Sequence, residues 1–178
     1  MTEADALLEL RALPVLDDPA LPQLAPFMGL RDHAGRQRRE APGGDMAGWF
    51  LAEGDLVIGR AIKAGHHVSA LLVDARRSAP VAGLGPETTV LRASPAVLEV
   101  ICGRPKLRDP IAQCVRLPAQ PLSAVVAGAR TVAVLEGIVN PTNMGVIARC
   151  AAGLGVEALV LDCLLYTSDA ADEHRDVG

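Results

Sequence analysis

Short apolar runs separated by Gly, Pro and charged residues predict alternating strands and helices along most of this 178-residue chain. Unbroken apolar runs are typical of buried strands, whereas apolar residues three or four apart are typical of helices. From residue 49 to residue 117 these patterns alternate, with predicted elements at Trp49–Gly54, Asp55–Gly65, His67–Val73, Pro80–Leu84, Thr88–Arg92, Pro95–Cys102 and Ile111–Leu117. The first of these is a strand, and helices and strands follow in turn. This order predicts a small three-layer α/β domain.

The residues before Trp49 predict helical segments followed by a loop. Glu3–Leu13 has a helical pattern, and so has Leu21–Leu30, although the second stretch contains two prolines that weaken it. Ala41–Ala47 contains Pro-Gly-Gly and predicts a flexible loop. We therefore expect residues 1–117 to form one N-terminal domain with a leading helical segment.

A second α/β unit is predicted after a stiff linker. Residues 118–130 contain two prolines and a short apolar helix, and residues 131–162 begin with the apolar run Val132–Leu135. Val156–Leu161 is a similar run, so both are predicted to be parallel strands buried on both faces. Pro141 suits the first turn of a connecting helix. The segment therefore predicts a βαβ unit.

The loop and helix between these strands hold the candidate site. The only two asparagines of the chain, Asn140 and Asn143, lie there, and Gly145 and Arg149 follow four residues apart on one helix face. A helical side chain leans toward the N-terminus, so the Arg149 guanidinium should pass over Gly145 and point at the loop. Open α/β sheets bind ligands at the carboxyl ends of their strands. The alternative is an ordinary connecting helix with Arg149 as a solvated surface charge. The predicted apolar stripe of the helix is Val146, Ile147, Cys150, Ala151 and Leu154.

The ten residues from Asn140 to Arg149 read Asn-Pro-Thr-Asn-Met-Gly-Val-Ile-Ala-Arg. They resemble the first motif of the SpoU (TrmH-type) RNA methyltransferases, which is Asx-Pro-x-Asn-x-Gly-x-x-x-Arg between a strand and an Ala-rich helix. A dinucleotide-binding loop is the competing interpretation, but no G-x-G-x-x-G follows the strand and Pro141 occupies the loop. The spacing of Asn, Gly and Arg in a strand–loop–helix context makes the match specific.

This resemblance implies a SPOUT trefoil-knot domain that transfers a methyl group from S-adenosylmethionine to a ribose 2′-hydroxyl of RNA, with ribosomal RNA as the expected substrate. Arg149 matches the residue to which the family assigns activation of that hydroxyl, and Asn143 matches one that helps to hold the site. A guanidinium holds its proton tightly, so the conservative role for Arg149 is to stabilise the alkoxide, and action as a base is the alternative. The reaction needs no metal. The residues that support the motif are Glu136, Asn140, Pro141 and Gly145.

The family's second and third motifs, a Gly-Glu loop and a late Ser-Leu-Asn segment, do not occur in this sequence. They form the cofactor pocket in the family, so we assign no cofactor-binding residue. We expect the chain to be a fragment that is inactive by itself, whereas the full-length protein is expected to be a homodimer. The alternative is a non-catalytic RNA- or ribosome-binding protein.

The N-terminal domain carries a second resemblance. Residues 50–54, Phe-Leu-Ala-Glu-Gly, and the helix after them resemble the substrate-binding domain that precedes the catalytic domain in many SpoU enzymes, a fold shared with kink-turn-binding ribosomal proteins. The expected RNA-binding residues are Arg36, Arg38, Arg39 and Glu53. Arginine clusters clamp phosphates and are also common on solvated surfaces, so both interpretations stay open. A second basic cluster is Arg104, Lys106 and Arg108.

Residues 163–178 differ in composition from the rest of the chain. They contain the only tyrosine, and residues 163–173 resemble the translation of a transposase adapter used in sequencing libraries. We expect a non-native tail without a part in the fold, and the alternative is a genuine acidic tail. Its four acidic residues and one arginine account for −3 of the net charge of −4. Any basic surface must therefore come from local clusters.

The remaining composition bears on compartment and metal binding. Cys102, Cys114, Cys150 and Cys163 lack C-x-x-C spacing, which predicts reduced, buried thiols without a disulfide or metal. The first residues include no basic segment before an apolar core, and the apolar runs are too short to span a membrane. We therefore expect a cytoplasmic protein.

Overall fold

The computed structural model describes residues 9–30, 32–103, 109–138 and 140–162. The chain divides into two compact units, Met1–Leu117 and Pro118–Gly178. The first basic cluster predicted from the sequence lies in unit 1, whereas the second, Arg104 to Arg108, lies outside the described residues. The predicted tail lies outside them as well.

Unit 1 is built around a five-stranded mixed sheet. Its elements are α1 (residues 9–12), β1 (Val15–Leu16), a 3-10 helix (Pro22–Phe27), α2 (His33–Glu40), β2 (Trp49–Glu53), α3 (Asp55–Lys63), β3 (Val68–Asp74), β4 (Thr89–Ala93), α4 (Pro95–Cys102) and β5 (Ile111–Val115). The strand order is β1-β4-β3-β5-β2. Strands β1 and β3 run parallel to β4, whereas β5 runs antiparallel to β3 and to β2.

Two apolar cores cover the two faces of this sheet. Successive residues of β3 point to opposite faces, so Leu72 packs in one core and Leu71 in the other. The 3-10 helix and α4 cover the first face, and α1 and α3 cover the second. This arrangement confirms the predicted α/β fold class with three layers.

Local sequence signals set the ends of α4 where they were predicted. The Ser94 hydroxyl accepts a hydrogen bond from the Val97 N–H at 3.5 Å, and Pro95 occupies the first helical position. Gly103 ends the helix in the left-handed conformation at φ +61°. Both ends of this helix are therefore specified by single residues.

The predicted helix at Pro80–Leu84 is wrong. The chain forms turns there, and Gly83 has φ +80°. A residue in this left-handed region interrupts a right-handed helix, and a five-residue segment has too few helical hydrogen bonds to compensate.

The charged segment before β2, for which the sequence predicted no helix or strand, forms helix α2. The Asp32 carboxylate accepts a hydrogen bond from the Gly35 N–H at 2.8 Å, which caps the helix. After the helix, the Gly44 N–H donates to the Ala41 oxygen at 2.9 Å and the Met46 N–H donates to the Arg39 oxygen at 2.8 Å. The predicted loop at Ala41–Ala47 is thus a hydrogen-bonded turn.

Unit 2 contains α5 (Leu122–Val126), β6 (Val132–Leu135), α6 (Pro141–Gly153) and β7 (Ala158–Leu161). Strands β6 and β7 are parallel, with Val132 beside Ala158 and Leu135 beside Leu161. This confirms the predicted βαβ unit.

The prediction that these strands are buried on both faces is wrong. Val132 is 38% exposed and Val134 is 69% exposed, because the described elements of unit 2 cover only alternate side chains of β6. The apolar stripe of α6 is buried only in part, since Val146 and Cys150 are exposed whereas Ala151 is buried.

The cysteines divide in the same way. Cys102 and Cys114 are buried thiols, as predicted, whereas Cys150 is exposed and Cys163 lies outside the described residues. Burial raises the pKa of the Cys114 thiol.

Within the described ranges, no group of three His, Cys, Asp or Glu side chains could hold a metal ion. No helix in the described part of the chain is long and apolar enough to cross a membrane.

Candidate functional site

The loop between β6 and α6 lies at the carboxyl end of a parallel strand pair. The Asp162 N–H donates to the Leu135 oxygen at 3.1 Å, which extends the pairing of the strands by one residue. The Asp162 carboxylate also accepts a hydrogen bond from the Gly137 N–H at 2.7 Å. Helix α6 then begins at Pro141, and the Met144 N–H donates to the Asn140 oxygen at 3.1 Å. The strand ends therefore fix the start of the loop, and Asn140 lies where the helix begins.

The Arg149 guanidinium lies over Gly145, as predicted from the helical spacing. A Cβ atom at Gly145 would be 3.3 Å from Nη1 of Arg149. The Arg149 side chain is exposed and makes no hydrogen bond or ion pair with the described residues. Its N–H donors are therefore available to a ligand.

The other predicted motif residues also lie at this edge. Asn143 is exposed in the first turn of α6, and Glu136 and Asn140 are exposed in the loop. Gly145 is partly buried beneath the guanidinium, and the side chain of Pro141 lies outside the described residues. An exposed amide and an unpaired guanidinium on one helix can together donate hydrogen bonds to an oxyanion or a phosphate. Their roles in catalysis remain predictions.

Two of the arginines expected to bind RNA form bonds within unit 1. Arg36 pairs with Glu40 at 2.6 Å and donates to the Pro26 oxygen at 3.5 Å. Arg39 pairs with Asp45 at 2.9 Å and donates to the Ala25 oxygen at 3.1 Å. These bonds connect α2 to the 3-10 helix and to the following turn, so Arg36 and Arg39 have structural partners.

Arg39 also perturbs its acidic partner. Its hydrogen bonds are the largest effect on the Asp45 carboxyl and hold the pKa of that group below the ordinary value; desolvation opposes them in part, and the charge of Arg39 adds a smaller lowering. The Glu40 carboxylate, which pairs with Arg36, also forms an ion pair with the Arg116 guanidinium at 2.8 Å. The Arg116 guanidinium also lies 5.4 Å from the centre of the Phe50 ring.

Other cations in the described part of unit 1 are unpaired. Arg11 is exposed on α1, Arg38 on α2, and Arg60 and Lys63 on α3, and none of these side chains makes a hydrogen bond or ion pair to the described residues. Glu53, the remaining predicted RNA-binding residue, is exposed at the end of β2. Arg60 and Lys63 were not among the residues predicted to bind RNA. Their spacing in the sequence could have indicated them, since they lie three residues apart on the polar face of a predicted helix.

A cavity of about 780 Å³ lies in unit 1 among α1, β3, β4 and the turns at residues 80–88. It is lined mainly by apolar side chains, including Leu10, Leu71 and Val90. None of the predicted site residues lines this cavity. We therefore place the candidate site at the β6–α6 loop.

Sequence and structure comparisons identify relatives of this chain. It is 38% identical over 147 residues to an uncharacterized tRNA/rRNA methyltransferase of Mycobacterium bovis and equally to one of Mycobacterium tuberculosis H37Rv, and the match includes 80% of this chain. The chain spans about half the length of these curated relatives, 49% in each case. No protein-family model matches the chain.

Solved structures share the fold. An RNA 2′-O ribose methyltransferase is 27% identical with a TM-score of 0.52, over 83% of this chain and 55% of the other. The SpoU methyltransferase AviRb of Streptomyces viridochromogenes, in complex with AdoMet, is 22% identical with a TM-score of 0.53, over 74% of this chain and 52% of the other. An rRNA methyltransferase of Sinorhizobium meliloti is 19% identical with a TM-score of 0.56, over 83% of this chain and 54% of the other. The last two likenesses concern the fold alone.

The 38% identity to the mycobacterial relatives and the likeness to the 2′-O ribose methyltransferase agree with the Asn-Pro-x-Asn-x-Gly-x-x-x-Arg motif at the β6–α6 loop. Over 80% of its length the chain is therefore similar to tRNA/rRNA methyltransferases, and its β6–α6 loop carries the sequence pattern of the first SpoU motif.

Proposed function

We propose that this chain carries the RNA-binding unit and the first catalytic motif of an enzyme that methylates a ribose 2′-hydroxyl, with ribosomal RNA in the cytoplasm as the substrate. The observation that carries the proposal is the unpaired Arg149 guanidinium over Gly145, at the carboxyl edge of a parallel strand pair. Asn143 lies on the same helix and is exposed at the same edge. We further propose that the full-length enzyme is a homodimer.

Arg149 acts in this proposal by stabilising negative charge. A ribose hydroxyl is a weak nucleophile, and it becomes a better one as its proton leaves and its oxygen gains charge. The guanidinium keeps its own proton at all physiological pH values, so Arg149 donates hydrogen bonds to that oxygen and does not act as a base. Asn143 both donates and accepts hydrogen bonds, which suits it to orient the ribose.

S-adenosylmethionine would supply the methyl group, but the described residues of unit 2 do not form a site for it. They make one two-stranded sheet with two helices, and Val134 is exposed on an open face of this sheet. Such an arrangement provides one wall, whereas cofactor sites bury most of their ligand. We therefore assign no cofactor contact to these residues.

RNA binding is assigned to unit 1. Its unpaired cations, which include Arg38, Arg60 and Lys63, are available to phosphates, because no described carboxylate neutralises them. Arg36 and Arg39 contribute less, since each would have to leave a carboxylate partner at 2.6 or 2.9 Å.

Methyl transfer from labelled S-adenosylmethionine to RNA, measured in single turnovers with the full-length protein, tests the proposal. Arg149→Ala should lower kcat by roughly a hundredfold or more, the usual effect of removing one preorganised donor to an oxyanion. The control is Arg130→Ala, because Arg130 lies in the same unit but pairs with Glu157 at 3.0 Å. Undiminished turnover of Arg149→Ala would refute the assigned role. RNA binding without methyl transfer by the full-length protein would favour a non-catalytic RNA-binding function instead.

The chain of 178 residues provides a second test. Calorimetry with S-adenosylmethionine should give no measurable heat of binding, because the described part of unit 2 supplies only one wall of a pocket. Binding in the micromolar range would contradict this expectation.

A further inference from the structure

Asp162 makes two hydrogen bonds that join the ends of β6 and β7. Its N–H donates to the Leu135 oxygen at 3.1 Å, and its carboxylate accepts the Gly137 N–H at 2.7 Å. The first bond continues the pairing of the parallel strands. The second is different in kind, because it connects the side chain of the residue just after β7 to the backbone of the loop that precedes α6.

The conformation of this loop determines where α6 begins. Gly137 has φ +70°, a left-handed conformation that turns the chain sharply after β6. Helix α6 starts four residues later at Pro141. The turn at Gly137 therefore orients the chain on its approach to α6, the helix that carries Asn143 and Arg149.

The Asp162 carboxylate is a strong hydrogen-bond acceptor for the Gly137 N–H. Hydrogen bonds from a backbone N–H to an ionised carboxylate are shorter and about twice as strong as those between neutral groups. The separation of 2.7 Å between Gly137 N and Asp162 Oδ2 is at the short end of the usual range for such bonds. The Asp162 carboxylate can thus hold the left-handed turn in one conformation.

We infer that Asp162 is a positioning residue of the proposed active site: its bond to the Gly137 N–H fixes the β6–α6 loop and thereby the placement of Arg149 and Asn143. This inference rests on the proposed function. It assigns a role to a residue outside the Asn-to-Arg motif and just after the other strand of the pair.

The opposite end of the same strands provides a matched control. The Glu157 carboxylate accepts the Arg130 N–H at 2.6 Å and is also bound by the Arg130 guanidinium at 3.0 Å. This bond precedes β6 and β7, whereas the Asp162 bond follows them. Glu157→Ala therefore removes a bond of the same kind from the same strand pair, at the end far from the loop.

The first experiment measures the Gly137 amide in the 178-residue chain by NMR. In Asp162→Ala, hydrogen exchange at Gly137 should accelerate about tenfold relative to wild type, whereas Asp162→Asn, which keeps an acceptor oxygen, should exchange at nearly the wild-type rate. Unchanged exchange at Gly137 in Asp162→Ala would overturn the inference. If Asp162→Ala does not fold, the protection of the Gly137 amide in the wild-type chain still decides, and exchange at the rate of an unprotected amide would overturn the inference.

The second experiment measures single turnovers of the full-length enzyme. Asp162→Ala should lower kcat by about tenfold or more with little change in KM for RNA, because displacement of a catalytic group by an ångström can cost about a hundredfold. Asp162→Asn should recover most of the activity. Glu157→Ala should lower the melting temperature without lowering kcat. Equal losses of kcat in Asp162→Ala and Glu157→Ala, or wild-type turnover in Asp162→Ala, would overturn the positioning role.

Failure of the inference can be told apart from failure of the proposed function. If Arg149→Ala has full activity, the proposed function fails, whereas the Gly137 measurements are unaffected. If Arg149→Ala is inactive and Asp162→Ala is fully active, only the positioning role fails.

Discussion

Replacement of Gly145 by alanine should stabilise α6 and at the same time impair catalysis. Gly145 lies inside α6 without a positive φ, so alanine fits the backbone and should gain about 0.5–1 kcal/mol of stability. The added Cβ would be 3.3 Å from Nη1 of Arg149, which is closer than nine in ten real Cβ contacts. The guanidinium must then move by a few tenths of an ångström.

The size of the catalytic effect follows from that displacement. A misplacement of about 1 Å can cost roughly a hundredfold in rate, so a few tenths of an ångström should cost roughly three- to tenfold in kcat. The effect on KM for RNA should be small, because in the proposed function the Arg149 guanidinium acts mainly on charge that develops in the transition state.

The same substitution at Gly153 is the matched control. Gly153 also lies in α6, and a Cβ there would have no heavy atom within 4 Å. Thermal unfolding of the 178-residue chain measures stability, and single-turnover methyl transfer by the full-length enzyme measures activity. Gly153→Ala should leave kcat unchanged. The reasoning is refuted if Gly145→Ala retains wild-type kcat, or if Gly153→Ala loses as much activity.

Three further predictions concern the turn after α2, the acid stability and RNA binding. Gly44→Ala should destabilise unit 1 by roughly 1–3 kcal/mol in chemical denaturation, because the new Cβ would overlap the carbonyl oxygens of Arg39 and Arg38. Gly59→Ala is the control and should not destabilise the unit, because a Cβ at Gly59 has open space around it. Because the pKa of Asp45 is lowered in the fold, its ionised carboxylate stabilises the fold above the ordinary carboxyl pKa, and this stabilisation is lost as the pH falls through the lowered value. The melting temperature of Asp45→Asn should therefore fall less steeply than that of wild type below about pH 4. An identical fall of the melting temperature in the two proteins would contradict this. Arg60→Ala and Lys63→Ala should each reduce the salt slope of RNA binding by about 0.7–0.9, as measured by fluorescence anisotropy with a labelled RNA hairpin, and unchanged slopes would exclude α3 from the interface.

The elements most accurately predicted from the sequence are those that single residues specify. Ser94, Pro95 and Gly103 define α4, and the spacing of Gly145 and Arg149 predicted their contact, because helix geometry is local. Local helix geometry does not predict contacts between residues that are distant in the sequence. The pair of Arg36 with Glu40 is local to α2, but the pair of Arg39 with Asp45 depends on how the following turn folds back, and the approach of Arg116 to Glu40 depends on how the end of β5 packs beside the helix.

Burial in unit 2 was mispredicted for a related reason. An unbroken apolar run indicates that a strand can be covered on both faces, but it does not show which element covers each face. In the described residues Val134 has no such cover and is 69% exposed. Asp162 was missed because nothing in a single acidic residue at the end of a strand indicates a hydrogen bond to Gly137, which lies 25 residues away in sequence.

The internal pairing of arginines also affects how unit 1 would recognise RNA. Salt-dependent affinity scales with the number of phosphates that a protein neutralises, and carboxylates already neutralise Arg36, Arg39 and Arg116. In the part of unit 1 that the structure describes, unpaired cations are few, which predicts a shallow salt slope from these residues, so their specific affinity must come from contacts that salt weakens little. Helix α3 provides apolar surface for such contacts, since Leu56 is 67% exposed and lies one turn from Arg60. Bases splayed from an RNA loop can pack on such a surface, and the 2′-hydroxyl distinguishes RNA from DNA. We therefore expect the preference for an RNA hairpin over a DNA hairpin of the same sequence to persist as the salt concentration rises.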